Sequence, residues 1–476
     1  MKTPNFTSNL SLPFQIDPTP TTDTLTAFGG LPLVAQTYRS LGMPQSVTRH
    51  LHLKQRKRGF DETTMVESFV LLNAAGGDCL DDFRRMAEDP GLPSLLGHAL
   101  PGPDTARKWL YAFHEDEAIA TAKAQRHAGQ LSFIPAETDP LEALARINVD
   151  LVRAVSARCP NQRIATIDED ATIHESHKRE ALFHYEGGRG YQPMTAVWAE
   201  MDLVVADQFR DGNVPAHYAP LPVAQAAFAA LPDTILEYYF RGDSACHERN
   251  LIDWLRDPNR PNGPAGRIGF AISARMSPAL ASAIRALPQT EWRPYTLGKS
   301  TDELREWADV PFVPSETGEH RDTQPLRYVA IRVRPRQGDL FADGTEVKHF
   351  AILSNLWDRD GARLLQWHRE KAGTIEHVHD VIKNELAGGV LPCGRFGANA
   401  AWMRLALLSH NLLTALKRLA LPPELLAARP KRLRFLLFTL PGRLVTHARK
   451  LCLRLATTPE RLLQWIEAVQ LLPAPA

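Results

Sequence analysis

The stretch RIATIDEDATIHESHK, residues 163–178, decides the fold of this chain. The apolar run Ile164–Ile167 has the character of a short β-strand and leads directly into Asp168 and Asp170. Side chains two residues apart share one face of a strand, so both aspartates are expected to point the same way. An aspartate after a strand more often caps a turn or a helix, so this pair alone predicts little.

A second β-like run ends in an aspartate further along the chain. Residues Ile235–Phe240 are apolar and rich in aromatic side chains, and they lead through Arg241 to Asp243. An amphipathic helix is expected to follow, with its apolar side around Leu251–Leu255. Because carboxylates at the ends of neighbouring strands can converge, we expect Asp243 to lie near the first acidic pair.

The third informative segment is WHREKAGTIEHVHDVIKNELAGG, residues 367–389. Glu376 and Lys383 are seven residues apart, which places them two turns apart on one face of a helix. Arg369 and Lys371 precede the glutamate. One carboxylate among cations suits a helix that holds a metal ion and binds phosphate. The alternative is a solvated helix face with alternating charges.

These acids, in this order, predict one site. Two carboxylates at strand ends and a third on a helix match what two Mg²⁺ ions need to bind both the attacking and the leaving oxygen of a phosphodiester. The first acid stays ambiguous between Asp168, which directly follows the apolar run, and Asp170, which we favour. Hard, oxygen-liganded Mg²⁺ or Mn²⁺ fits carboxylates better than zinc, since no HExxH spacing or CxxC pair occurs.

The three segments resemble the catalytic motifs of insertion-sequence DDE transposases, specifically the group 1 DDE domain in the bacterial branch related to piggyBac. The resemblance extends to three further stretches: Gly190-Tyr191-Gln192-Pro193, Arg210-Asp211-Gly212-Asn213 and the helix-like GRFGANAAWMRLALLSHNLL (394–413). Asp170 followed by Ala171-Thr172 is similar to the Asp-x-Ser/Thr of ribonuclease-H-like first strands. One departure is that the tyrosine and arginine of the related Tyr-Arg-Glu-Lys signature correspond to Arg369 and Ala372.

The resemblance implies an α/β protein with a ribonuclease-H-like catalytic core, interrupted by a β-rich insertion and flanked by helical regions. We expect six segments along the chain: an extended or disordered N-terminus (1–22), a helical DNA-binding or dimerisation region (23–155), the first part of the core (160–275), the β-rich insertion (276–360), the second part of the core with the glutamate helix (361–420), and a basic helical C-terminal region (421–476).

The resemblance also implies the activity. The enzyme would cleave the ends of an insertion sequence and join them to target DNA by transesterification, with two Mg²⁺ or Mn²⁺ ions held by Asp170, Asp243 and Glu376. A homodimer on DNA is implied as well. Lys383, with Arg369 or Lys371, would bind phosphate near the scissile bond. Two alternatives stay open: a ribonuclease-H-like nuclease without strand transfer, and a catalytically inactive transposase-derived DNA-binding protein.

Charge distribution supports a DNA partner better than the net charge does. The whole chain carries only +1, but residues 417–454 contain ten lysines and arginines and one acid, Glu424. Such a stretch neutralises phosphates and gives salt-sensitive affinity. We therefore predict that this region, including Arg432 and Arg434, contacts the DNA backbone. The alternative is a helical surface that only keeps the protein soluble.

Composition is that of a large globular enzyme. Of 476 residues 44% are hydrophobic, which is enough for a substantial core, and no run of about 18 uninterrupted apolar residues occurs. The first residues lack the pattern of a secretory signal. Five widely spaced cysteines suggest neither a disulfide framework nor a zinc site. We therefore expect a cytoplasmic, membrane-free protein, and the resemblance implies a bacterial one that associates with the nucleoid when bound to DNA.

Overall fold

The computed structural model describes residues 17, 19–54, 58–124, 132–295, 303–314, 325–335 and 347–472. Its α-helices are α1 (Leu31–Ser40), α2 (Met43–His50), α3 (Glu62–Ala75), α4 (Asp82–Ala87), α5 (Leu92–Leu96), α6 (Pro103–Tyr111), α7 (Asp116–Ala124), α8 (Asp139–Ala157), α9 (Leu221–Ala230), α10 (Arg249–Arg256), α11 (Pro278–Arg285), α12 (Gly361–Arg369), α13 (Lys371–Glu385), α14 (Phe396–Ala420), α15 (Pro430–Leu433) and α16 (Pro459–Leu471). Its strands are β1 (Thr24–Thr26), β2 (Ile164–Ala171), β3 (His174–Glu175), β4 (Leu182–Phe183), β5 (Arg189–Tyr191), β6 (Met194–Trp198), β7 (Leu203–Gln208), β8 (Glu237–Gly242), β9 (Ile268–Ser273), β10 (Arg293–Pro294), β11 (Glu303–Val310), β12 (Arg327–Pro335), β13 (Lys348–Ser354), β14 (Gly442–His447) and β15 (Lys450–Leu455).

The core is a sheet of nine strands in the order β10-β11-β12-β13-β9-β8-β2-β6-β7. Strands β2, β6 and β7 form an antiparallel meander, and β8 and β9 join the other side of β2 in parallel. Helix α9 leads into β8, and α10 connects β8 to β9. This is the ribonuclease-H-like arrangement, so the α/β fold prediction is confirmed.

The β-rich segment expected between residues 276 and 360 extends this same sheet. Strand β13 pairs antiparallel with β9, and β12, β11 and β10 follow outward. The insertion therefore adds a β-sheet wing directly beside the ends of β8 and β9. Helices α12 and α13 follow the wing and are separated by a break at Glu370.

The N-terminal helices and α14 cover one side of the molecule. Helix α3 begins at Asp61, whose carboxylate accepts a hydrogen bond from the Thr64 amide, and ends at Gly76 with a left-handed φ of +91°. Helix α14 is almost entirely buried. Its Asn411 side chain bonds both the amide and the carbonyl of Val204 on β7, which fixes the helix against the edge of the core.

The C-terminal region differs from the expected helical one. Residues 442–455 form the hairpin β14–β15, and β14 pairs with β1 near the other end of the chain. The helical prediction is wrong here because backbone pairing holds β14 on both sides, with β15 and with the distant β1, and the local sequence does not show this pairing. Nearly all of the 1–22 segment lies outside the described residues.

Within the described residues, no helix has both the length and the apolar character needed to cross a membrane.

Candidate active site

Strand register places two of the predicted acids side by side. Parallel strands β2 and β8 pair from Ile164 opposite Glu237 through Glu169 opposite Gly242, so Asp170 and Asp243 are the next residues on the two strands. Burial and the negative charge of Asp170 raise the pKa of Asp243 above its ordinary value. Two carboxylates thus face one another at the carboxyl ends of the central strands.

The ammonium group of Lys371 lies with these two acids. Its Nζ donates a hydrogen bond of 2.8 Å to Oδ2 of Asp170, and the side chain is buried. Burial alone would lower the pKa of Lys371, but the charges of Asp170 and Asp243 outweigh it and raise that pKa. A cation, the first residue of α13, is thus bonded to Asp170 and lies near enough to Asp243 for their charges to interact.

Asp168 has different surroundings from Asp170. It is completely buried, and Arg241 donates to both of its carboxylate oxygens, at 2.6 and 2.9 Å. Thr374 on α13 also donates to it. Arg241 in turn bonds the Trp367 carbonyl at 2.6 Å and lies over the Trp367 ring. This ion pair therefore joins β2 and β8 to helices α12 and α13.

Glu376 lies on the helix that covers the site, with an exposed side chain. The same helix contacts the sheet through Lys371 and through His379, whose Nε2 bonds Thr195 Oγ1 on β6. Among the described residues, three potential metal ligands come within 4.8 Å of one another at Asp78, Cys79 and Asp82. The trio of Asp170, Asp243 and Glu376 does not meet that distance.

The remaining predicted residues of this helical segment lie on two sides of the site. Lys383 donates from Nζ to the Ile173 carbonyl at 2.8 Å, just beyond the end of β2. Arg369 is exposed and lines a cavity of about 860 Å³ that opens beside Asp243.

That first cavity is strongly basic. Its wall combines Asp243 with four cationic side chains contributed by separate elements: Arg275, Arg305, Lys348 and Arg369. The arrangement suits a polyanion passing the acids. The sequence analysis missed three of these residues, because they come together only when β11 and β13 pair beside β9.

Arg432 and Arg434 also have different surroundings. Arg432 is exposed, whereas the guanidinium of Arg434 donates to the carbonyls of Asn73 and Ala74, at 3.0 and 2.9 Å, and to that of Glu385. These bonds pair backbone carbonyls in the last turn of α3 and at the end of α13, which lack partners within their own helices. Contact between Arg434 and DNA would require them to break.

Glu169 is a further acid that the sequence analysis did not single out. It points away from Asp168 and Asp170, is completely buried, and has no hydrogen-bond partner for either carboxylate oxygen within the described part of the chain. Burial raises its pKa well above the ordinary value, which disfavours its charged form beside Asp170 and Asp243.

The acids fit a divalent cation. Asp170 and Asp243 offer adjacent hard oxygen ligands, and the ammonium group that they already share marks the position of a positive charge.

Comparisons with known proteins identify a family and one similar structure. A family model described as "Transposase DDE domain group 1" matches residues 15–470. Among solved structures, the chain is similar to the piggyBac transposase in a cryo-EM synaptic complex with hairpin DNA, with a TM-score of 0.44 and 10% sequence identity, covering 81% of this chain and 74% of that one. Among curated proteins, none matches the chain.

Proposed function

The chain belongs to the transposase DDE domain group 1 family, and we propose that it cleaves the ends of an insertion sequence and joins them to target DNA. The observation that carries this proposal is the pairing of β2 with β8, which brings Asp170 beside Asp243 at the mouth of a basic cavity.

We propose Asp170 and Asp243 as ligands for two divalent cations, Mg²⁺ or Mn²⁺, and Glu376 as the third ligand. Glu376 lies on the helix that covers both aspartates, and its exposed side chain can turn without breaking a described contact. Asp168 is less suited, because Arg241 holds both of its oxygens. Cations bound there would lower the pKa of an attacking water and stabilise the leaving 3′ oxygen.

The reaction then proceeds in two displacements. Water attacks phosphorus at the end of the element, and the P–O3′ bond breaks to leave a 3′-hydroxyl. That hydroxyl attacks phosphorus in target DNA, and the target's own 3′ oxygen leaves. No covalent protein–DNA intermediate is needed, because the same acids serve both displacements.

The basic side chains position the DNA. Arg275, Lys348 and Arg369 line the cavity beside Asp243 and would neutralise the phosphates next to the scissile one. Lys371 would hold the acids together until a cation arrives, after which its ammonium is available to the phosphate. The Asp168–Arg241 pair keeps α12 and α13 above the site. We further propose that a homodimer acts on DNA, since two ends must be joined together.

One assay tests this function against its alternatives. The substrate is a duplex carrying the terminal repeat read from the DNA flanking the gene, incubated with Mg²⁺ and a target plasmid. Joined products are expected for the wild type and absent for Asp243→Asn. Asp253→Asn, which alters an exposed acid on α10, is the matched control and retains activity.

The alternatives give different results in the same assay. Cleavage without joining identifies a nuclease. Binding with neither reaction identifies an inactive DNA-binding descendant of a transposase.

A further inference from the structure

The last helix, α16, carries apolar side chains that are exposed to solvent. On one side of the helix Ala468 and the capping residue Leu472 belong to the core, and the helix contacts α1 and α14. Leu462, Leu463 and Ile466 lie on a different side and are 37%, 58% and 39% exposed. Because Ile466 stands one turn from both leucines, the three form a continuous apolar stripe, which marks an interaction site more often than single exposed side chains do.

Two acids border this stripe. Glu460 and Glu467 are seven residues apart, so they lie two turns apart on one side of α16. Leu463 stands between them, three residues after the first and four before the second. The side chains of both glutamates are exposed. The stripe and these two glutamates together are called the α16 face below.

An apolar groove of about 570 Å³ lies close to this helix in the chain. It is built on the small sheet of β1, β14 and β15, and α16 begins at Pro459, three residues after the groove residue Ala456. Its apolar wall residues are Leu25, Ala27, Pro90, Pro441, Leu455 and Ala456. The groove therefore offers apolar surface of the same kind as the stripe on α16.

The same groove carries positive charge. Arg443 and Arg454 are direct partners across the β14–β15 pair, and both line the groove with exposed side chains. Arg443 also bonds Asp23, at 2.8 Å. The acid in the groove, Asp89, accepts hydrogen bonds from backbone amides such as those of Gly91 and Ala27, so its carboxylate is already occupied within the chain.

The α16 face and the groove are complementary in both respects. Apolar stripe corresponds to apolar wall, and two glutamates correspond to two arginines. Burial of the stripe would supply most of the affinity, whereas the charges would chiefly fix the orientation, since exposed ion pairs contribute little. When two copies related by a two-fold axis each place α16 in the other's groove, the two contacts are identical and the assembly closes as a dimer.

We propose that α16 of one copy of this chain docks in the β1–β14–β15 groove of a second copy. This inference rests on the proposed function, which requires two copies to join two DNA ends, and it names the surface through which they meet. DNA is a poorer occupant of the α16 face, because Glu460 and Glu467 repel phosphates. An unrelated protein is a poorer one for the pair of surfaces, because this chain carries both halves of the contact.

Analytical ultracentrifugation of the full chain without DNA tests the inference. The wild type is expected to sediment as a dimer that dissociates on dilution. Leu463→Asp places a charge in the middle of the stripe and should weaken dimerisation at least about tenfold, as expected for a side chain at the centre of an interface. Leu236→Asp is the matched control, because Leu236 is 73% exposed and belongs to neither surface, and it should dimerise as the wild type does.

Charge reversal separates a specific contact from general loss of structure. One double variant, Glu460→Arg with Glu467→Arg, and a second, Arg443→Glu with Arg454→Glu, should each dimerise at least about tenfold more weakly than the wild type, because like charges then meet. An equimolar mixture of the two should form heterodimers, since each helix then meets a groove of opposite charge in both contacts.

The outcomes distinguish this inference from the proposed function. A monomeric wild type, a Leu463→Asp variant that dimerises like the wild type, or a mixture that does not recover dimers each overturns the inference. If the chain nevertheless joins DNA ends, the transposase function stands and the copies meet elsewhere. If dimerisation follows the expected pattern but the chain neither cleaves nor joins DNA, the interface stands and the proposed function is overturned.

Discussion

The ends of β2 and β8 and the helix α13 would supply the three proposed acids by different means. Backbone pairing brings Asp170 and Asp243 together, and their separation is fixed once the sheet forms. The proposed role of Glu376 depends on the rotation of one exposed side chain, while the ammonium of Lys371, from the same helix, is bonded to Asp170. The strand pair is therefore preformed, whereas the proposed contribution of Glu376 would require a cation that competes with Lys371.

The largest expected effect falls on the preformed pair. Asp170→Asn and Asp243→Asn should each reduce cleavage by at least about 100-fold, because metal stabilisation contributes several kcal/mol and about 1.4 kcal/mol corresponds to a factor of ten. Asp243→Asn should stay as stable as the wild type, since it removes one of two repelling charges, whereas Asp170→Asn also takes the charged partner from the buried Lys371 and should melt at a lower temperature. Cleavage rates and thermal melts check this. Near-wild-type cleavage by either variant would show that the aspartate pair on β2 and β8 is not required for the reaction.

The ion pair that holds α13 in place should govern stability. Arg241→Leu leaves the buried Asp168 carboxylate without its partner, so the free energy of unfolding should fall by about 3–5 kcal/mol. Urea denaturation measures it. Arg249→Leu removes a surface pair with Asp253 and should change stability by less than about 1 kcal/mol. Equal effects for the two variants would mean that the buried pair does not fix the helix.

Removing the Lys371 ammonium should increase the affinity of the aspartate pair on β2 and β8 for a divalent cation. Lys371→Met leaves the two carboxylates without their ammonium group, so Mn²⁺ affinity should rise about fivefold or more, the value expected for about 1 kcal/mol of charge interaction. Calorimetric titration measures the dissociation constant. Weaker Mn²⁺ binding in this variant would show that the lysine organises the site instead of competing for it.

The smallest effect is expected in the C-terminal basic region, where two neighbouring arginines differ. Arg432→Ala should weaken binding to specific and random duplexes alike and reduce the salt slope by about one unit per lost phosphate contact. Arg434→Ala should chiefly lower the melting temperature, because it frees three backbone carbonyls. An unchanged salt slope for Arg432→Ala would show that this region does not contact DNA and is a solvated surface.

The sequence predicted those features that depend on local residue patterns, and it did not predict those that depend on contacts between distant parts of the chain. Strand alternation and the aspartates at strand ends are local signals, so the core and the positions of Asp170 and Asp243 were predicted. Three residues of the cationic wall of the first cavity were not, since Arg275, Arg305 and Lys348 join Arg369 there only through long-range strand pairing. The hairpin β14–β15 was not predicted, because its strands are defined by pairing with each other and with β1, which is distant in the chain.

The central claim is that Asp170, Asp243 and Glu376 together hold the catalytic cations. Mn²⁺ titration of the protein bound to a terminal-repeat duplex, followed by electron paramagnetic resonance, tests it most directly. We predict specific Mn²⁺ binding in the wild type, its loss in Asp243→Asn and at least about tenfold weaker binding in Glu376→Gln, since one charged ligand of a hard cation is removed. Glu117→Gln, which alters an exposed acid on the distant helix α7, should bind as the wild type does. If Glu376→Gln binds Mn²⁺ as tightly as the wild type, Glu376 is a surface residue and the account of the third acid is contradicted.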